Sequence, residues 1–571
     1  MLDNNKNEET RLLTFAILSV AIIFGSSFFI KNKNSDTVQV KQEKSSVSVK
    51  EQNNILVEND DVKAKETIKN KKTVINGTSN HRIFVNTKHM SGSINLTGAV
   101  IDDITLHGYA ESVTDKSSVG ILNPMGTQNA GFVRIGWARV SGIDSKNMPN
   151  NNTIWTSDSK ELVTGRPVEL KFNNNAGQTF VISLVVDEDY MFKVDQYIIN
   201  KSTQELELSP YISIVRSNAY PLAKSDSYVG PLGFLDGSFK EISYKKNIKN
   251  GSSYQNQSSS WIGISQKYWL VAGIPSDIFD ASIVSKVNES KVDTRAMMKG
   301  RVLSVNPKET SGFYSTRLFV GPKNVALLDK YEATGINLLT RSIDLGMLYF
   351  ITKPLLLLLK WLNKFFYNYG ISIIIMTILI RIALYPLAKK SYESMEKMKL
   401  IGPQIKEIKE KYKDDRKSLE SAMVAIYRKE GVNPLSTILP LILQIPVFFA
   451  LYRVLTISID LRHSVFIKGW INDLSAPDST SFINLFGLLP FNAPSFLQIG
   501  VLPILMGITM WLQQRSGSSG QMSDEQQKIM KYLPLIFTIM LSGLPAGLML
   551  YWISTNIMSV LQQYIISKSK K

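Results

Sequence analysis

Apolar residues fall into three patterns along this chain: charge-poor runs of about twenty, short runs alternating at every second position, and helical stretches carrying charge. The first run, Leu12 to Ile30, has nineteen residues without a charge. At 1.5 Å rise it spans about 28 Å, close to a hydrocarbon core, so a transmembrane helix is predicted over 12–30 behind a short N-terminal segment, 1–11. A cleaved signal peptide fits less well, because the apolar run is longer than usual and no A-x-A site follows. Residues 31–78 are rich in Lys, Asn, Ser, Asp and Glu and hold too few apolar side chains for a core, so a disordered linker is predicted. From 79 to 340, runs such as FVISLVVDED and MFKVDQYIIN alternate between Gly, Asn, Pro and Asp clusters, the signature of a large antiparallel β sandwich. Its aromatic residues are expected to pack the core rather than to line a ligand groove.

The C-terminal part changes character. Over 345–367, Lys353, Lys360 and Lys364 fall at i, i+7 and i+11, a single basic stripe opposite Leu, Trp and Phe. That pattern predicts a helix lying in the interface, with a distorted span as the other reading. Further spans are predicted over 369–388, 434–459 and 494–514, and the break SGLPAG divides the last apolar stretch into a short helix, 532–544, and a longer one, 546–566. The short limb is either re-entrant or lies in a thinned bilayer. Between these spans lie a loop at 389–433 carrying twelve Lys/Arg against eight Asp/Glu, an outer loop at 460–493, a loop at 515–531 and a basic tail at 567–571. The basic loops place 389–433, 515–531 and both termini in the cytoplasm, and the β domain on the other side.

Composition narrows the chemistry. The 571 residues carry a net charge of +17, which in such a chain points to cytoplasmic loops and anionic lipids, and no nucleic-acid motif accompanies it. There is no cysteine, and His81, His89, His107 and His463 are scattered, so no metal site is expected. Neither a Walker lysine, nor paired dinucleotide glycines, nor a Ser-His-Asp arrangement is present, so neither an enzyme nor a cofactor is expected.

The candidate site is an arginine in a span. Arg381 interrupts TILIRIALYPLAKK eight residues before Lys389, about 12 Å from the basic end. Either it snorkels to headgroups, or it faces a wet cavity shared with other polar groups. Thr377 lies one turn away, and Gln444, Gln513, Ser554, Thr555 and Asn556 lie in other spans. No carboxylate within the spans from 369 onward offers to neutralise it, so an external anion or acidic peptide is the natural partner.

Several stretches together resemble the YidC-type membrane protein insertases of bacterial inner membranes: GISIIIMTILIRIALYPLAKKSYESMEKMKLIGPQIKEIKEKY, EGVNPLSTILPLILQIPVFFALYRVL and QQKIMKYLPLIFTIMLSGLPAGLMLYWISTN, with SWIGISQKYWLVAGIP and VGPKNVALLDKYE in the β region. The resemblance implies the long, Gram-negative form: a polytopic helical protein of six spans with a five-helix core and a large periplasmic β-supersandwich. It implies a hydrophilic groove containing Arg381, with clients sliding along the spans at 369–388, which carries Thr377, at 434–459 and at 546–566, which carries the aromatic pair Tyr551 and Trp552; Gln444 and Gln513 are added here as polar lining. It also implies nascent membrane proteins as clients, and the Sec translocon, ribosome or targeting factors as partners of the 389–433 hairpin. From charge alone that hairpin reads as solvated and salt-bridged. A transporter or channel using Arg381 as an anion site is the rival, although no inverted repeat is apparent; a membrane-anchored sensor is a second.

Overall fold

The computed structural model of the chain describes residues 69–219, 227–243, 247–248, 251–288, 291–413, 415–431, 439–481, 499–516 and 524–568. The segment 1–11, the helix expected at 12–30 and the linker as far as 68 lie outside the described residues, as do 482–498, 517–523 and the last three residues of the tail. The end of that linker differs from expectation: Lys71–Gly77 is a short helix (α1), started by the Asn70 side chain accepting from Lys72 N. Lys71 holds it to the β domain through a 2.7 Å ion pair with Asp103.

Strands from Arg82 to Pro322 form an eleven-stranded and a nine-stranded sheet. Leu206–Ala219 sits near the middle of the first, antiparallel to Gly131–Ser141 on one side and Lys291–Gly300 on the other. Met191–Asn200 lies inside the second, between Gln178–Val186 and Tyr314–Pro322. Lys291–Gly300 shows why the alternation works, since Val292, Thr294, Ala296 and Met298 are buried and the residues between them half-exposed. Both sheets feed one apolar core, and its aromatic residues pack as expected: Trp137 stacks on Trp155 with ring centroids 5.8 Å apart.

Helix Val325–Glu332 (α2), capped by the Asn324 side chain, leads from the sandwich to Tyr349–Phe366 (α3). This helix has three faces. Leu355, Leu356, Leu359 and Leu362 are buried, Phe350, Trp361 and Phe365 are exposed, and two of the three lysines turn to the domain above. Lys353 reaches Asp329 of α2 at 3.1 Å, and Lys360 reaches Asp460, in the loop after residue 459, at 3.0 Å and Asn324 Oδ1, at the start of α2, at 3.4 Å. The stripe that sequence offered to headgroups is therefore largely a hinge pin between sheet domain and helices. Nearby, Arg453 reaches Asp344 at 2.8 Å and Arg462 lies over the rings of Tyr268 and Trp269.

The remaining helices are Tyr369–Ala383 (α4), Tyr385–Leu400 (α5), Gly402–Lys411 (α6), Arg416–Lys429 (α7), Leu439–Ile457 (α8), Val501–Ser516 (α9), Asp524–Leu541 (α10) and Ala546–Lys568 (α11). The span expected over 369–388 stops at Ala383 and turns by 65° into α5. Pro386 explains the break: it has no N–H for the Ile382 carbonyl, and its ring disfavours a helical residue before it. The short helix expected over 532–544 instead begins at Asp524, its first turns being polar. Among the described residues no single helix is long and apolar enough to cross a membrane; the bent pair α4–α5 passes that test together, and α8 and α10 contain shorter apolar helices. The cytoplasmic loop expected at 389–433 is three helical pieces, in which Ile401 and Ile405 pack with Met398 against Met423, Ile426 and Tyr427. Asp415 starts α7 by accepting from Lys417 N and Ser418 N.

At the junction of the two parts Lys323 is buried, donating to Ser265 Oγ at 3.1 Å and to the Ser342 carbonyl at 3.3 Å. Burial pulls its ammonium from 10.5 down to about 7, against Asp344 and Glu241, which pull the other way. As pH falls, the unfolded chain takes up this proton first, so the linkage removes stability between about 10.5 and 7 and is flat below. Thermal melts of the full chain in detergent are expected to show a midpoint that rises from pH 7 to pH 9, a rise that Lys323→Met abolishes.

Candidate functional site

Arg381 lies in the last turn of α4, just before the bend. A small recess, with a cavity volume of about 30 Å³, opens where α4, α5, α8 and α11 meet. Its polar lining is Arg381, Gln444 and Tyr551, and Ile380, Leu384, Leu387 and Val447 line the rest. The bend helps to shape it: after Leu384 the chain turns by 65°, and Leu387 and Ala388 of α5 line the recess together with Ile380 and Arg381 of α4.

Among the described residues the guanidinium makes one hydrogen bond, a long one of 3.4 Å from Nη2 to Gln444 Oε1. Among the described residues no carboxylate comes within ion-pair distance, while the phenols of Tyr551 and Tyr392 lie close enough to feel its charge. The Arg381 carbonyl is held by Gln562, and its side chain shares the recess with Tyr551, eleven residues earlier on α11. The guanidinium thus stands between Tyr551 of α11 and Tyr392 of α5, inside the recess and beside Gln444.

Above the recess the helices close. Ile373, Met376, Leu451, Val454 and Leu455 are buried, so the cavity does not continue toward the β domain. The amide N–H groups that start α11 are taken up there by the outer loop, Ala546 N donating to the Ala476 carbonyl and Gly547 N to the Leu474 carbonyl.

Of the six residues singled out from sequence, Arg381, Gln444 and Tyr551 come together. Thr377 is buried and its hydroxyl donates to the Ile373 carbonyl at 2.7 Å, within its own helix. Trp552 faces another way, edge-on to Phe448 at 5.1 Å and near Phe537 at 5.9 Å, joining α8, α10 and α11. Gln513 is half-buried on α9 and does not line the recess. Sequence reasoning missed Tyr392, which donates to the Ser559 carbonyl at 3.3 Å, and Gln562. The local signal for both was Pro386, which announces the bend that brings α5 back against α11.

Residues 361–571 match the family described as 60Kd inner membrane protein, and residues 82–358 match the YidC periplasmic domain. A protein of Rickettsia bellii (strain OSU 85-389) named membrane protein insertase YidC is 41% identical over 99% of this chain and 100% of its own. The protein of that name from Rickettsia felis (strain ATCC VR-1525 / URRWXCal2) is 40% identical over 98% of this chain and 99% of its own. A crystal structure of an active YidC insertase, with its first transmembrane domain resolved, matches 85% of this chain and 92% of its own at 17% identity and a TM-score of 0.34.

Proposed function

The chain belongs to the YidC family of inner-membrane insertases, and from that premise we propose that clients enter the bilayer through the recess that holds Arg381. An insertase of this kind is not an enzyme and needs no fuel site of its own. Burying a twenty-residue apolar helix in lipid is strongly downhill, and the barrier is carrying its polar flank through hydrocarbon. A polar recess that begins partway into the bilayer shortens that passage. The observation that carries the reading is an arginine without a carboxylate among the described residues, in an open recess shared with Gln444 and Tyr551.

In this scheme the leading polar segment of a nascent membrane protein meets Arg381, Gln444 and Tyr551, while its apolar segment moves along the outer faces of α4, α8 and α11. Thr377, Trp552 and Gln513 shape the helices that clients slide against. The recess closes toward the periplasmic domain, so a client's flank leaves it outward only as its apolar segment partitions into lipid. The membrane potential, positive outside, adds about 2.3 kcal/mol per charge per 100 mV and favours acidic segments. The exposed Trp361 and Phe365 set α3 in the outer interface, and both termini lie in the cytoplasm. The three-helix loop after α4 is the docking element for ribosome, targeting factors or Sec translocon, and its basic surface contacts anionic lipids.

Photocrosslinkers at Gln444, Val447 and Tyr551 of the full chain are expected to capture a ribosome-stalled client through its polar leader. Crosslinkers at Phe365 and Leu535, which lie on exposed apolar faces, should not capture that leader. Equal capture from both sets would remove the recess from the path.

A further inference from the structure

The carbonyl of Arg381 is left open by the break that follows it. In a straight helix it would accept from the N–H of residue 385, but Tyr385 starts the next helix after the turn, and the adjacent Ile382 carbonyl faces Pro386, which has no N–H at all. A buried carbonyl without a donor is costly, so something must replace the missing bond. That donor comes from another helix. Gln562 of α11, only 4% exposed, donates from Nε2 to the Arg381 carbonyl at 2.9 Å. One turn earlier on the same face, the Ser559 carbonyl accepts from Tyr392 of α5, so the last helix grips both sides of the bend.

We propose that Gln562 is a positioning residue for Arg381: its amide pins the open carbonyl at the bend and thereby sets where the guanidinium stands in the recess. The consequence follows from the lever. The guanidinium hangs at the end of a long flexible stem and among the described residues has one weak bond at its tip, so its location depends on where its backbone is held. With the carbonyl pinned, the stem starts from a fixed point facing Tyr551 and Gln444. Without the pin, the last turn of α4 frays at the bend and the charge spreads over many positions. This rests on the reading of the recess as the client path, and its test separates the two.

The test uses the full chain in vesicles of phosphatidylethanolamine and phosphatidylglycerol. Two clients are compared, one with an acidic leading segment and a matched one with those residues changed to Asn and Gln. Gln562→Met keeps the length and removes the donor, while Gln562→His returns a ring N–H near the same place. Q562M is expected to insert the acidic client about tenfold less well, the effect of one charge-positioning hydrogen bond, and the neutral client within about twofold of the parent. Q562H should recover most of the loss. A second readout follows the charge itself. The chain has no cysteine, so Val447→Cys places a single thiol on the recess wall, and the guanidinium should hold its alkylation midpoint below the ordinary thiol range. Adding Q562M should move that midpoint back up by about one pH unit.

An unchanged midpoint, parental insertion of both clients by Q562M, or equal impairment of both for whatever reason overturns the proposal. Arg381→Ala in the same vesicles tells the two readings apart. If it loses the acidic client while Q562M does not, only the role of Gln562 falls; if it inserts both clients normally, the reading of the recess falls.

Discussion

Arg381→Ala is expected to lower insertion of a client with an acidic leading segment by about 10- to 100-fold, the worth of a charge-assisted hydrogen bond in a poorly solvated site. Folding should survive the change. The guanidinium has no carboxylate to leave stranded among the described residues, and its bond to Gln444 is 3.4 Å long, so the substitution removes a partly buried charge at little structural cost. Arg381→Lys should fall between the two, since an ammonium keeps the charge but not the planar fork that meets two oxygens at once. Arg381→Glu should do worst with acidic leaders and should repel them. Each variant is measured as the fraction of client protected from protease in vesicles, beside anion flux through the same vesicles. Intact insertion with lost flux would favour the transporter reading instead.

The second large effect is on the helical core itself. At Gly547, in the first turn of α11, an added Cβ would stand 2.6 Å from Leu455 Cδ2, 3.1 Å from Ile373 Cδ1 and 3.2 Å from the Leu474 carbonyl. Leu455 and Ile373 are fully buried and have nowhere to retreat, and the third contact is backbone. Gly547→Val is therefore expected to cost about 3 kcal/mol or more, at the upper end for overpacked sites. The same step also disturbs the bond from Gly547 N to the Leu474 carbonyl, which ties the outer loop to the start of α11. The thermal midpoint of the purified chain and its accumulation in membranes should both drop, and insertion of acidic and neutral clients should fall alike. A variant melting like the parent would show that α11 does not approach α4 and α8 as closely as these distances require.

The two variants separate function from stability. R381A should be folded and selective in its defect, whereas G547V should be unselective. Gln562→Met belongs with the first, because it changes where a charge is held rather than how the helices pack.

Much of the protein was readable before its structure. The alternation in Lys291–Gly300 pointed to a half-buried strand because a pleat sends neighbours to opposite faces. A single arginine in an apolar run was readable because it breaks a local rule. The companions of that arginine were harder to read. Tyr551 and Trp552 are adjacent, so about 100° separates them around α11, and nothing local says which one meets the recess. Thr377 looked like lining by its distance from Arg381, yet its hydroxyl found the Ile373 carbonyl first. The lysine stripe of α3 was a sound reading of periodicity that missed its partners, because Asp329 and Asp460 lie on other elements and helical periodicity does not register them.

What sequence alone determined is therefore what depends on spacing within one segment: the apolar runs, the β alternation, the basic loops, the lone guanidinium and the breaks at Pro386 and SGLPAG. Tertiary structure decided the 65° turn after Ala383, the convergence of Gln444, Tyr551 and Gln562 on one arginine, and the seating of the β domain on α3. The reason is geometric. Periodicity records which residues share a face, but the direction that face takes and what comes to meet it are set by packing between segments far apart in the chain, 181 residues for Arg381 and Gln562.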